Sequence, residues 1–433
     1  MDDVTRGYPL FSGCYLLTIM SSSQRLPLWL HSALSSETHI TTVLSYLSER
    51  ESKRVVARNA SQMRVLDQSD SSRQFPLVLL GRRNRDAPPS HIGHYAITAG
   101  SQVPHLDLNR YMDVTPYDRT RVVVYDGSLG VENELQGRYL NASWVLERQG
   151  GKWWIATQAP VKRSVHTFLS ALMQPIISLP YSAACQSRVR TVVQLTRNFE
   201  DGRKKADAYF PSEVGQSMVI SPNDGQPGIP LKVTLRALRT IEEAHCIEST
   251  VSVFPMVNPS PQDDNRSTNA SCGDNLSVEE DKAVTFKHLL YLSWPDHGIP
   301  EDHQSILSFI RLVEQTNRNS SESQIASGPV PQEIDSDPPI MVGCSAGIGR
   351  TGSFIAITSL LRSYEFLPPA VKPTPSSVLP SSPLGPLPEQ LQVDRVAQEI
   401  DSLREQRPGM VQRPEQVDLV YEVLAGALGL QQS

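Results

Sequence analysis

Cys344 and Arg350 close the two ends of a loop, CSAGIGR, whose other members Ser345, Ala346, Gly347, Ile348 and Gly349 offer little beyond backbone amides. The apolar run PIMVGC (339–344) before it has strand length, and TGSFIAITSLL after it reads as a buried helix. A strand, a loop of small residues and a helix N-terminus turn successive N–H groups into one bend, which makes an anion cradle. Gly347 and Gly349 permit the close backbone approach, and the Arg350 guanidinium suits two phosphate oxygens at once. The same positive surroundings stabilise the thiolate of Cys344, so the predicted chemistry is attack of sulfur on a cradled phosphorus.

Such an attack needs an acid to protonate the leaving group and then a base to activate water. LSWPDHG supplies Asp296, with Trp294 to anchor a hinge and Gly298 to let it move. CSAGIGRTG with its preceding strand resembles the signature of the cysteine-dependent protein tyrosine phosphatases, the intracellular (non-receptor) type catalytic domain in particular.

That resemblance implies roles for further segments. Asp296 lies upstream of the cysteine, in the order of the family's mobile acid loop. NRYMDVTPYDRTRV (109–122) resembles the phosphotyrosine-recognition loop, where Tyr111 would wall the substrate ring and Asp113 would hold substrate amides. Met112 there replaces a basic residue common in relatives. RPGMVQRPEQVDLVY (407–421) resembles the segment whose glutamines, here Gln412 and Gln416, orient the hydrolytic water. In NFEDGRKKADAYFP (198–211), Glu200 would fix Arg350 by an ion pair and Lys205 would meet the acid loop. Thr351 would assist thiolate departure.

One departure stands out: relatives carry histidine immediately before the nucleophile, and this chain has Gly343. Tyr209 resembles the usual partner of that histidine. A lost hydrogen bond to a charged network is worth about 1.5–3 kcal/mol, or about one to two pKa units. The implied activity is hydrolysis of phosphotyrosine in proteins through a cysteinyl-phosphate intermediate, without cofactor or metal. The alternative is a phosphotyrosine-binding pseudophosphatase weakened by Gly343.

The surrounding chain fits a globular protein of 433 residues, 39% of them apolar, with a formal net charge of −6. That charge disfavours nucleic acid as a partner. Five dispersed cysteines without a CxxC pair suggest neither a disulfide framework nor a zinc site, and a reducing, cytoplasmic location is expected. No apolar run is long enough for a membrane span. YPLFSGCYLLTIM resembles a signal core but follows the acidic MDD and lacks a clear cleavage site.

Residues 1–25 match nothing recognisable, and 26–433 read as a single domain with polar insertions near 257–281, 318–338 and 367–388. The third is proline-rich with PxxP spacing, read as an extended spacer that also suits an SH3-type docking partner. Strand-length segments at 190–196, 231–238 and 284–294 join that at 339–344. One helical stripe is formed by Ile306, Phe309, Ile310 and Val313, another by Val393, Val396, Ile400 and Leu403. The expected fold class is α/β (α+β): a highly twisted mixed β-sheet flanked by helices, which is also the fold the resemblance implies.

Overall fold

Strand alternation sends Ile340, Val342 and Cys344 to one side and Met341 and Gly343 to the other, and in the computed structural model both sides are buried. The structure describes residues 26–36, 38–69, 87–125, 137–176, 187–257, 277–278, 282–295, 298–300, 302–325 and 335–429. Its strands are β1 (Arg121–Val124), β2 (Arg138–Leu146), β3 (Trp153–Gln158), β4 (Thr191–Gln194), β5 (Phe199–Glu200), β6 (Arg203–Lys204), β7 (Ser217–Ile220), β8 (Leu231–Ile241), β9 (Cys246–Val257), β10 (Ser277–Val278), β11 (Val284–Tyr291) and β12 (Ile340–Cys344). The main sheet runs β1-β2-β3-β12-β4-β11-β9-β8-β7, with β10 pairing β9. Parallel pairing is confined to its centre, where β12 lies between β3 and β4 and β11 follows β4. Parallel strands need cover on both faces, and the helices provide it.

The helices are α1 (Leu28–Ser35), α2 (His39–Ser69), α3 (Pro89–His94), α4 (Val165–Met173), α5 (His303–Ile325), α6 (Gly349–Ser363), α7 (Arg395–Gln406) and α8 (Pro414–Ala427). On one face α5 to α8 bring Ile306, Phe309, Phe354, Ile400 and Leu424 against Trp154 and Val342. On the other, Phe168 and Leu172 of α4 meet Ile155, Val192, Phe286 and Met341. This is the mixed twisted sheet with flanking helices that the sequence predicts.

Buried charges lock the helices to the sheet. Lys152 bonds Glu314 of α5 at 3.2 Å and Asp337 at 2.6 Å, while Arg362 of α6 bonds Glu147 at 3.0 Å and also pairs with Glu314. Burial alone would raise the Glu314 pKa, but Lys152 and Arg362 hold it down at about 2.

Three local expectations need correction. Helix α5 runs on to Ile325, into the segment read as a linker, while 326–334 lie outside the described residues. Val393 is 64% exposed because it precedes Asp394, whose carboxylate accepts the Ala397 N–H and starts α7 one residue later. The proline-rich segment is no free spacer over its second half: Arg50 of α2 donates to the carbonyls of Leu384 and Gly385 at 3.3 and 2.9 Å, and Leu387 is buried. Its PxxP run is thereby engaged within the chain. Residues 1–25 and most of 257–281 lie outside the described residues.

Candidate active site

Central β12 ends at Cys344, and α6 begins at Gly349, so the intervening loop must turn against β3. Gly347 makes this turn with φ +72°, and a Cβ there would stand 2.2 Å from the Thr157 carbonyl oxygen, so only glycine fits. Its N–H donates to Cys344 Sγ at 3.2 Å. The thiol is 5% exposed at the floor of the loop.

Arg350 lies in the first turn of α6 and grips Glu200 side-on, through Nη1 to Oε1 at 2.8 Å and Nη2 to Oε2 at 2.9 Å. Nη1 also donates to the Leu195 carbonyl at 2.9 Å, and Nη2 to that of Pro295 at 2.7 Å. Glu200 is presented by a hairpin, β5 to β6, whose turn residues Asp201 and Gly202 have φ of 46° and 71°. Thus the expected Glu200–Arg350 pair forms, and the same guanidinium holds Pro295 in the stem of the segment expected to act as the acid loop.

That stem is anchored by Trp294, which is buried and donates through Nε1 to the Gly298 carbonyl at 3.4 Å. Gly298 has φ +120°. Asp296 itself lies outside the described residues.

On the opposite rim Tyr111 is 38% exposed. Ser345 Oγ gives its hydrogen to the Lys205 carbonyl at 3.1 Å, so the Tyr111 hydroxyl is the donor in their 2.9 Å contact. Asp113 and Met112 are exposed beside it. The loop is pinned by Arg110, whose N–H donates to Gln158 Oε1 and whose Nη2 donates to Asp207, both at 2.8 Å.

Gln416 faces the cysteine loop: a Cβ on Gly349 would lie 2.9 Å from its Nε2. Its Oε1 accepts the N–H groups of Gln412 and Arg413 at 3.0 and 3.2 Å, capping α8. The Gln412 side chain is exposed. Thr351 is fully buried, and its hydroxyl has no hydrogen-bond partner among the described residues. Tyr209 packs its ring against Phe168, Phe210 and His288 at centroid distances of 4.9, 5.1 and 5.8 Å, and burial pushes its pKa up.

Arg407 is a member that sequence reasoning missed, although it opens the glutamine segment. Fully buried, it donates to the carbonyls of Gly347 at 2.8 Å and Ala346 at 3.2 Å and to Asn141 Oδ1 at 2.8 Å. Those bonds occupy two carbonyls of the loop, while the Gly347 N–H is directed at the sulfur. Burial pulls the Arg407 pKa down to about 10.

Gly343 is a packing requirement here. A Cβ at 343 would stand 2.7 Å from the Thr157 carbonyl oxygen and 3.1 Å from its Cγ2, so β3 and β12 would have to separate. Gly343→Ala is expected to cost about 1–3 kcal/mol of stability, read as a lowered Tm or denaturant midpoint. Gly343→His should cost at least as much; an unchanged midpoint would refute the close approach.

Fold and site together define a class: a mixed-sheet α/β protein with a cysteine loop at the end of its central parallel strand. A family model described as protein-tyrosine phosphatase matches residues 105–369. That is more than half of the chain, which therefore belongs to the protein-tyrosine phosphatase family. Among curated relatives, human receptor-type tyrosine-protein phosphatase H is 29% identical over 259 residues, covering 59% of this chain and 17% of the relative. Human tyrosine-protein phosphatase non-receptor type 9 is 26% identical over 322 residues, covering 74% and 41%. The chain thus spans less than half the length of these relatives. The crystal structure of a Trypanosoma cruzi protein tyrosine phosphatase superposes with a TM-score of 0.50 at 22% identity, covering 78% of this chain and 88% of that one, a likeness of fold.

Proposed function

We propose that this chain hydrolyses phosphotyrosine in proteins through a cysteinyl-phosphate intermediate. The observation that carries the reading is the fourfold anchoring of Arg350, which ties Glu200, the cysteine loop and the acid-loop stem into one unit. Sulfur of Cys344 attacks phosphorus, an S–P bond forms as the P–O bond to tyrosine breaks, and Asp296 protonates the departing phenolate. Water held beside Gln416 Nε2 then gives its proton to Asp296 and attacks phosphorus, and the S–P bond breaks with the electron pair returning to sulfur. The loop amides from Ser345 to Gly349 bind the equatorial oxygens, and the positive charge of Arg350 beside them stabilises the transferring phosphoryl group in both steps. Tyr111 at the rim sets a depth that suits an aryl phosphate, and Asp113 beside it holds the peptide. Thr351, unpartnered now, is available to the sulfur as it leaves.

A reducing, cytoplasmic setting suits a reaction that depends on a thiolate at Cys344. No helix among the described residues is long and apolar enough to cross a membrane. A binding-only role rested on the absence of a side chain at 343. The approach of Thr157 accounts for that glycine by packing, and the Glu200–Arg350 pair and the Gln416 amide beside the loop favour hydrolysis over binding alone.

The test is phosphate release from a phosphotyrosine peptide and its dependence on the leaving group. Asp296→Ala should lower kcat for the peptide about 100- to 10,000-fold. For p-nitrophenyl phosphate, whose phenolate leaves with little help, the loss should be much smaller. Equal losses on both substrates would remove Asp296 from the acid role, and tight peptide binding without phosphate release would overturn the hydrolase.

A further inference from the structure

The sheet face below the cysteine loop carries a buried polar chain that the reaction as described does not use. Gln194 of β4 is the register partner of Gly343 on parallel β12, and the Leu195 N–H donates to the Gly343 carbonyl at 2.8 Å. Paired residues of parallel strands share a face, so the Gln194 side chain stands beside the position where Gly343 has none. Its Nε2 donates to the Thr196 carbonyl at 2.7 Å and to Asn198 Oδ1 at 3.1 Å. With both hydrogens spent, the amide presents Oε1 to Nε2 of His288 on β11, 3.1 Å away. His288 is therefore the Nε2–H tautomer. Its Nδ1 is buried and has no hydrogen-bond partner among the described residues. Burial holds its pKa at about 3, so the ring stays neutral.

The residues that Gln194 holds are those that present the ligand of Arg350. Thr196 Oγ1 and the Arg197 N–H both donate to Glu200 Oε1 at 2.9 Å, and that oxygen accepts Arg350 Nη1. Asn198 accepts the Lys205 N–H on its carbonyl at 2.8 Å, closing the same hairpin from its other end. The Lys205 carbonyl in turn receives the Ser345 hydroxyl. One amide thus holds the first leg of the hairpin, and the Asn198 it bonds pairs through its own carbonyl with the second leg, which touches the cysteine loop.

We propose that Gln194, oriented by His288, is a positioning residue for Arg350, supplying from β4 the anchoring that the strand of the nucleophile lacks at Gly343. This deepens the phosphatase reading and rests on it only for the turnover arm of the test. Gln194 touches neither substrate nor sulfur; it acts through Thr196, Asn198 and Glu200. A polar pair on this buried face costs more to keep than aliphatic side chains would, and what it gains is one fixed geometry for the hairpin.

The test uses the full chain with Gln194→Leu, His288→Leu and His288→Gln, the last keeping a donor on β11. Two quantities are measured on each folded variant: the tungstate Kd by calorimetry, which reads the Arg350 cradle directly, and kcat/KM for p-nitrophenyl phosphate. Loss of hydrogen bonds ordering a charged group predicts about a tenfold or greater fall in both for Gln194→Leu and His288→Leu, with His288→Gln back within about threefold. In a Glu200→Gln background, Gln194→Leu should add less than about threefold, since both act through one carboxylate. Wild-type tungstate affinity in Gln194→Leu, or effects of Gln194 and Glu200 that simply multiply, would overturn the proposal. If Gln194→Leu does not fold, the His288→Leu and His288→Gln pair decides by the same criterion. A wild type that binds tungstate but cleaves no ester would sink the hydrolase reading, and the tungstate arm would still judge the relay.

Discussion

Serine in place of Cys344 is expected to reduce turnover of a phosphotyrosine peptide by at least about 1,000-fold while leaving the peptide bound. The two halves of that result come from different groups. Attack requires an anionic atom at the end of β12, and a hydroxyl in the field that suits a thiolate remains protonated. Binding requires Arg350, held by Glu200, Leu195 and Pro295, and the loop whose Gly347 and Ala346 carbonyls Arg407 holds. None of these contacts uses the sulfur except the Gly347 N–H, which a serine oxygen can also receive. Steady-state phosphate release and peptide affinity by fluorescence anisotropy measure the two halves separately. Turnover within tenfold of wild type would place the nucleophile elsewhere, and loss of binding together with turnover would mean that the thiol organises the cradle itself.

What could be read from the chain follows from how local each feature is. The cradle is built from consecutive residues, so CSAGIGR carries its own geometry, and the strand before it and the helix after it show in hydrophobic period. Glu200 was legible only because NFEDGRKKADAYFP resembles a loop of the family; the positive φ of Asp201 and Gly202 that turns it toward Arg350 emerged only in the structure. Arg407 was not, since its partners Asn141, Ala346 and Gly347 come from other elements and a lone arginine near a helix end has no periodic signature. The Gln194–His288 pair was hidden for the same reason: it depends on β4 lying between β12 and β11, an order that crosses the sequence. Gly343 was read as a missing side chain because only the register with Thr157 reveals that none fits. Proline content alone suggested a spacer at 367–388, whereas the Leu384 and Gly385 carbonyls are collected by Arg50, a residue of α2 more than 330 positions away in sequence.

Arg350→Lys keeps the charge and should still lower kcat/KM for a phosphotyrosine peptide about 1,000-fold or more. The argument is geometric. Nη1 and Nη2 together serve two Glu200 oxygens and the carbonyls of Leu195 and Pro295 at 2.7–2.9 Å, which fixes the guanidinium plane before substrate arrives. A lysine ammonium is a point donor that cannot pair side-on with Glu200 and reach Pro295 at once, so either the carboxylate or the acid-loop stem is released. Loss at Pro295 should appear in kcat, because Asp296 is the next residue; loss at Glu200 should appear mainly in oxyanion affinity. Measuring kcat, KM and tungstate Kd on Arg350→Lys therefore tells which contact turnover depends on. Glu200→Gln, which leaves a neutral acceptor, should cost about tenfold and mostly in affinity. Activity of Arg350→Lys within tenfold of wild type would show that positive charge alone suffices, and the coupling of cradle to acid loop through one planar group would have to be abandoned.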